Sequence, residues 1–214
     1  MKITYNFVSL IALGNFNPAI VTPDFLNKDC ELHLGEPTDQ SPPFIPVHRR
    51  LQFQNLRFTV DMDKLEIMET GINNIHGAKI LGIFDVYCKR LPYTPLGAVG
   101  VNINCDLPRT DILEEKISNF RTYLDFLDVK EIDVTERSLQ TKSEKTWLNS
   151  NYRVENVRGL TRLISSSIKK DFLNLNYNYE AGNLDQNKPR LDLLLDGYEQ
   201  FCKEFSNFVK FLEA

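Results

Sequence analysis

Apolar and polar residues alternate along several stretches of this chain with the period of two that is typical of half-buried β-strands. Other stretches repeat their apolar residues every three or four positions, as amphipathic helices do. Alternation, or a high content of Thr, Val, Ile and Tyr, predicts strands at 2–13, 50–61, 65–70, 95–105, 131–142, 145–157, 160–168 and 171–180. The helical pattern predicts helices at 24–28, 72–91, 110–127 and from Pro189 to the C-terminus.

The alternation changes phase inside the predicted strand 50–61. Leu51 and Phe53 have one parity, whereas Phe58 has the other. A phase slip within one strand indicates a β-bulge, because side chains alternate strictly between the two faces of a sheet. We therefore expect a bulge at residues 54–55.

The two halves of the chain repeat one order of elements. Each begins with an apolar strand, turns into a helix at Thr22-Pro-Asp-Phe-Leu26 or Arg109-Thr-Asp-Ile-Leu113, and continues through hairpin strands to a long helix. The pattern predicts an α+β fold, an antiparallel sheet with helices packed on one face. Two explanations of the repeat stay open: a pseudo-twofold duplication of a strand–helix–hairpin–helix unit, and chance similarity of α+β patterning.

This arrangement resembles pseudo-twofold α+β folds such as the saddle of the TATA-binding protein, a resemblance that concerns architecture and implies no activity. The length of 214 residues fits a single domain over 1–214 or two intimately packed halves, 1–93 and 94–214.

Composition narrows the class of protein. With 42% hydrophobic and 25% charged residues, the chain has enough apolar material for a core. A net charge of −4 offers phosphate no overall attraction, so it disfavours nucleic acid as a partner. The apolar N-terminal run is interrupted by Thr4, Asn6 and Ser9, which favours a first strand over a signal peptide, and no run is long enough to span a membrane.

Cysteine usage points to a reducing compartment. The four cysteines are widely spaced, and most fall on apolar faces of the predicted elements, where a free thiol packs as a small hydrophobic group. They are Cys30, Cys88, Cys105 and Cys202. We therefore expect a cytoplasmic protein.

Asparagine rows are the most unusual surface pattern. Asn102 and Asn104 follow Gly100 on one predicted strand, and three more asparagines alternate on the last strand, at Asn174, Asn176 and Asn178. The rows are candidate binding residues, because side-chain amides both donate and accept hydrogen bonds. The alternative is a solvated sheet face, since Asn is abundant throughout the chain.

A proline-containing segment after the first strand is a candidate interaction loop, formed by Phe16, Asn17, Pro18 and Pro23. Two prolines fix a rigid turn. In one interpretation the turn lets Phe16, Ile20 and Phe25 anchor the chain under the sheet, and in the other it presents a partner surface.

Two segments carry a family resemblance: Gly14-Asn-Phe-Asn-Pro-Ala-Ile-Val-Thr-Pro-Asp-Phe-Leu26 and Leu91-Pro-Tyr-Thr-Pro-Leu-Gly-Ala-Val-Gly-Val-Asn-Ile-Asn104. They resemble a sporadically distributed family of uncharacterised bacterial proteins. The resemblance implies a bacterial source and brings no activity, catalytic residue or cofactor with it.

Other chemistry is weakly indicated. Cys30 and His33, with His48 beyond them, supply too few ligands for a zinc site and leave a nucleophile pair as an alternative. Basic residues near Trp147 and Tyr152 are diluted by carboxylates, which again disfavours nucleic acid. They are Arg153, Arg158, Arg162, Lys169 and Lys170.

The sequence shows no catalytic constellation, metal site or cofactor motif. We therefore expect a non-enzymatic binding or protein-interaction module, whose partner is another protein or a second copy of the chain. The alternative is a small-molecule sensor with a pocket between sheet and helices, lined by Tyr87, Tyr177, Phe201 and Phe205.

Overall fold

A computed structural model describes residues 3–42, 47–108, 133–142, 147–155, 160–168, 172–181 and 198–213. The strands are β1 (Thr4–Gly14), β2 (Asp39–Gln40), β3 (His48–Phe53), β4 (Leu56–Asp61), β5 (Lys64–Thr70), β6 (Leu96–Pro108), β7 (Asp133–Lys142), β8 (Trp147–Glu155), β9 (Leu160–Ile168) and β10 (Phe172–Ala181). The helices are α1 (Ile80–Arg90) and α2 (Tyr198–Glu213), with a π-helical turn at Phe25–Asp29 and a 3₁₀ turn at Ile75–Gly77.

The ten strands form one antiparallel sheet in the order β2-β3-β4-β5-β1-β6-β10-β9-β8-β7. The pair β1–β6 lies at the centre. Outward from β1 the sheet runs through β5, β4, β3 and β2, and outward from β6 it runs through β10, β9, β8 and β7. The antiparallel sheet and its helices confirm the α+β class.

The strand register places the apolar residues of neighbouring strands side by side. Leu10 of β1 lies opposite Val101 of β6 on one side and Ile67 of β5 on the other. Further out, Ile103 pairs with Tyr177 of β10. All five side chains are fully buried, so the alternation in sequence becomes one continuous apolar face.

Helix α2 packs its aromatic residues against the β10 end of this apolar face. The ring of Tyr177 lies 5.7 Å from Phe201, 5.8 Å from Phe205 and 5.7 Å from Phe208, measured between ring centroids. Aromatic pairs at these separations add to the burial of their surface.

Helix α1 packs near the β1–β5 side of the sheet. The ring of Tyr87 meets Phe25 of the π-helical turn edge to face at 6.2 Å, and Phe84 is fully buried. The hydroxyl of Tyr198 in α2 donates to the carbonyl of Ile75, 2.8 Å away, which ties α2 to the 3₁₀ turn that precedes α1.

The predicted bulge at residues 54–55 is wrong. The phase slip marks a tight hairpin turn, because β3 ends at Phe53 and β4 begins at Leu56, with these two residues paired. A two-residue turn reverses the chain and restores apolar residues to the same face, so it produces the same change of parity as a bulge.

The predicted helix at 72–91 is shorter than the apolar spacing suggests. A 3₁₀ turn covers its start, and the extended backbone of Ala78, with φ −64° and ψ 133°, separates that turn from α1. The predicted helix at 110–127 lies outside the described residues. The last predicted helix is described from Tyr198 onward.

Two glycines lie at backbone positions that differ in how closely they are packed. A Cβ on Gly14 would clash with the carbonyl oxygen of Pro95, whereas a Cβ on Gly82, inside α1, would meet nothing within 4 Å. We expect Gly14→Ala to lower the free energy of unfolding by about 1–3 kcal/mol because the β1 exit must shift. Gly82→Ala should raise it by about 0.5–1 kcal/mol, because alanine loses less backbone entropy in a helix.

Urea unfolding followed by circular dichroism measures both changes. Destabilisation by Gly82→Ala, or no effect of Gly14→Ala, would contradict this account of the packing.

Candidate functional site

The second face of the sheet carries the asparagine rows, and the register brings them together. Asn104 of β6 pairs with Asn176 of β10, and Asn102 pairs with Asn178. Their side chains are half-buried, on the face opposite the fully buried Ile103 and Tyr177. We call the surface formed by Asn6, Asn102, Asn104, Asn174, Asn176 and Asn178 the amide face.

Asn6 joins the amide face through a register shift in β1. Tyr5 pairs with Cys105 and Phe7 with Asn104, so Asn6 is an extra residue between them. A bulge re-aims side chains locally, and here the Nδ2 of Asn6 donates to the Oδ1 of Asn104 at 2.9 Å. The sequence alternation alone did not identify this residue.

The first cluster of the amide face is a chain of hydrogen bonds. Asn104 and Asn174 form a reciprocal amide pair, with Nδ2–Oδ1 distances of 3.2 and 3.0 Å. Asn174 also donates to the carboxylate of Asp106 at 2.7 Å. These bonds fix the orientation of the amides and use part of their capacity.

The second cluster converges on one oxygen. The Oδ1 of Asn102 accepts from the Nδ2 of Asn178 at 2.9 Å and from that of Asn176 at 3.4 Å. The Oδ1 of Asn178 is buried and has no hydrogen-bond partner among the described residues. A buried amide oxygen without a partner is unusual in a folded protein.

The amide face has an uncharged centre. Ser9 of β1 lies opposite Asn102, and it is buried, with 2% exposure. The carboxylate of Asp106 borders the amides and accepts the bond from Asn174. The surface therefore offers oriented amide donors and acceptors, with one carboxylate beside Asn174.

The predicted interaction loop is only partly exposed. Phe16 and Pro18 are buried, Pro23 is half-buried, and Asn17 is exposed, with its Oδ1 accepting from the backbone N–H of Ala19 at 3.1 Å. Phe16 therefore anchors the exit of β1, as one interpretation expects.

Ile20 does not share that anchoring role. It is 39% exposed, in contrast to Phe25 at 9%. The expectation that Ile20 packs under the sheet is wrong, because the turns Asn17–Ile20 and Pro18–Val21 direct the chain so that Val21 is buried in its place.

The two segments that carry the family resemblance meet in space. Asn15–Asn17 and Ile20 face Leu91–Pro95 across a cleft of about 470 Å³. Asn15 donates its backbone N–H to the carbonyl of Pro95 at 3.0 Å, which joins the two segments directly. Tyr93, on the second segment, is 94% exposed.

The aromatic residues predicted to line a pocket are core residues. Tyr177, Phe201 and Phe205 have exposures of 0–1%, and both phenylalanines contact Tyr177. Tyr87 is separate from them, packing on Phe25 and reaching the edge of the cleft at Leu91–Pro95. The first three side chains therefore fill the space between the sheet and α2, where the sequence predicts that they line a pocket.

The Cys30–His33 pair lacks the features of a reactive site. Cys30 is buried, and this burial raises the pKa of its thiol to about 11, outweighing the lowering effect of Arg90. His48 makes its own pair with Asp61, at 2.7 Å between Nδ1 and Oδ1. In the part of the chain that the structure describes, no three His, Cys, Asp or Glu side chains are grouped to hold a metal ion.

The basic residues weighed for nucleic acid are spread over two strands. Arg153 belongs to β8 and Arg162 to β9. Residues 158, 169 and 170 lie outside the described ranges.

The geometry defines an α+β protein with one apolar face and one amide face on the same sheet. No protein-family model matches the chain, and no curated protein matches it either. None of the described helices is both long and apolar enough to cross a membrane.

Burial of the thiols predicts a loss of stability at alkaline pH. The pKa of Cys105 is raised from 9.0 to about 12 by burial, with a smaller contribution from Asp106. Between pH 9 and 12 the unfolded chain therefore loses a thiol proton that the folded protein keeps, so stability falls as pH rises. We expect Cys105→Ala to reduce the slope of the unfolding free energy against pH by up to about 1.4 kcal/mol per pH unit.

Urea unfolding at pH 8, 9.5 and 10.5 measures how the free energy of unfolding changes with pH in the wild type and in Cys105→Ala. Because the two slopes are compared, the variant's lower stability at pH 8 does not affect the result. Equal slopes for the wild type and Cys105→Ala would contradict the raised thiol pKa.

Proposed function

We propose that this protein is a non-enzymatic binding module and that the amide face is its recognition surface. The observation that supports the proposal is the convergence of six asparagines on one face of the sheet, half-exposed and joined by hydrogen bonds. The proposed partner is another protein or a second copy of this chain.

The internal hydrogen bonds favour recognition because they orient the amides in advance. Asn104 and Asn174 hold each other in a reciprocal pair, so little side-chain entropy is lost when a partner contacts them. Each amide has two donor hydrogens and two acceptor lone pairs. The bonds described use only part of this capacity, and we propose that a partner bonds to exposed atoms among the remainder, which exclude the buried Oδ1 of Asn178.

The alternative is that the amide bonds serve stability alone. In that case the face would be a solvated surface, and removing its side chains would change the free energy of unfolding without changing any interaction. The two accounts differ in one measurable quantity, which is the affinity of a folded variant for a partner compared with that of the wild type.

The proposal includes a one-sided architecture. We propose that the helices pack on the apolar face and leave the amide face open. We also propose that the two halves arose by duplication, which is supported by the strand order. In each half the first strand is central, and the last strand of the following meander pairs with it: β5 with β1 and β10 with β6.

The double variant Asn102→Ala/Asn176→Ala tests the amide face. It removes the oxygen on which Asn178 and Asn176 converge, and we expect the affinity for a bound partner to fall at least about tenfold. Stability should fall by about 1–3 kcal/mol, from the lost hydrogen bonds. Wild-type and variant proteins are used as baits in a lysate of the source organism, and self-association is followed by analytical ultracentrifugation.

A matched control uses two asparagines away from the amide face. Asn73→Ala/Asn207→Ala changes two exposed residues, one beside the 3₁₀ turn and one on α2. This control should bind as the wild type does. If Asn102→Ala/Asn176→Ala is folded and retains the wild-type partner and oligomeric state, the proposed role of the amide face is wrong.

A further inference from the structure

A second cleft lies on the helix side of the sheet, and none of Tyr87, Tyr177, Phe201 and Phe205 lines it. It occupies about 630 Å³ between α1, the β3–β4 turn and residues 31–34. This volume lies within the range of about 300–1,000 Å³ typical of small-molecule sites. Its apolar lining includes Phe53, Leu56 and Ile83, which are 3%, 5% and 6% exposed. We call it the α1 cleft.

One wall of the α1 cleft is held in a strained conformation. Glu31 and His33 both adopt left-handed backbone angles, with φ of 55° and 52°. For residues other than glycine this conformation persists only where the surroundings impose it. Asn27 imposes it here: its Oδ1 accepts from the backbone N–H of Leu34, and its Nδ2 donates to the carbonyl of Gly35 at 2.7 Å.

The charged groups around the α1 cleft include one cation that forms no ion pair with the described residues. The carboxylate of Glu31 is neutralised by Arg90, 2.8 Å away. The carboxylate of Glu69 accepts from the backbone N–H of Lys79 at 2.7 Å, at the start of α1. Lys79 lines the cleft and is exposed, and its ammonium group forms no ion pair with the described residues.

Gly82 keeps the cleft open on the α1 side. It lies in the helix, lines the cleft, and would have no atom within 4 Å of an added Cβ. Almost any other residue would fill part of the volume from this position, and most would also be better helix formers.

We propose that the α1 cleft binds a small amphipathic carboxylate, with its apolar part on Phe53, Leu56 and Ile83 and its carboxylate at the ammonium group of Lys79. The apolar base supplies affinity through burial, and the unpaired cation selects the sign of the polar end. This site is separate from the amide face and does not depend on its proposed role.

Sodium decanoate is the probe, and isothermal titration calorimetry measures its binding. We expect saturable binding with one site, accompanied by shifts of the Gly82 amide signal in ¹H–¹⁵N spectra. Decyltrimethylammonium, which has a tail of similar length and the opposite charge, should bind at least about threefold more weakly than decanoate. Decanoate should bind the variant Lys79→Gln at least about threefold more weakly than it binds the wild type.

Gly82→Leu tests the location of the site. Leucine is a good helix former and should leave the fold intact, but its side chain fills the cleft, so decanoate should bind at least about tenfold more weakly. Gly77→Ala is the matched control, since a Cβ on Gly77 also meets nothing within 4 Å and Gly77 does not line the cleft.

The proposal is overturned if decanoate shows no saturable binding, if Gly82→Leu binds it as the wild type does, or if decyltrimethylammonium binds equally well. The proposal is supported if Gly82→Leu loses decanoate binding and Asn102→Ala/Asn176→Ala binds decanoate as the wild type does.

Discussion

The antiparallel pairing of β1 with β6 is the constraint on which the rest of the structure depends. These two strands are the centre of the sheet, and every other strand takes its register, directly or in steps, from one of them. Leu10 opposite Val101 fixes which residues face the core, and Ser9 opposite Asn102 fixes which face the other way. A slip of one residue would exchange the two sets, bury the amides and expose the apolar side chains, so the register is strongly specified.

One of the two irregularities in this pairing contributes to the amide face. The register shift between Tyr5 and Phe7 leaves Asn6 as an extra residue, and its amide reaches Asn104. Tyr5, before the shift, contacts Phe205 of α2 on the apolar side at 6.3 Å between ring centroids. Thus this bulge serves both faces: Tyr5 before it packs against the core, and the bulge adds a sixth asparagine to the polar surface.

Much of the sheet was predictable, because period-two alternation is a local signal that survives wherever one face is buried. The last strand was predicted at 171–180 and is found at Phe172–Ala181, with Asn174 and Asn178 on the polar face as expected. The error at residues 54–55 has a physical basis, since a bulge and a two-residue turn change parity in the same way. Only the pairing of Phe53 with Leu56 distinguishes them.

The sites were less predictable than the strands, because they depend on pairing between distant segments. Alternation showed that the two asparagine rows each face one way, but the reciprocal bond between Asn104 and Asn174 joins residues 70 positions apart. The α1 cleft was beyond sequence reasoning for the same reason. Its wall depends on Asn27 holding Leu34 and on Arg90 pairing with Glu31, and neither contact has a sequence signature.

The positions of the two surfaces limit how they can interact. The amide face lies on one side of the sheet, whereas the α1 cleft lies on the other, where α1 packs near β1 and β5. A ligand in the cleft therefore cannot touch a partner on the amide face, and any coupling between them must pass through the strands. The strand between α1 and the amides is β1, whose Val8 and Leu10 are fully buried and whose Ser9 faces Asn102. Because such packed strands deform little, the two surfaces are expected to act independently.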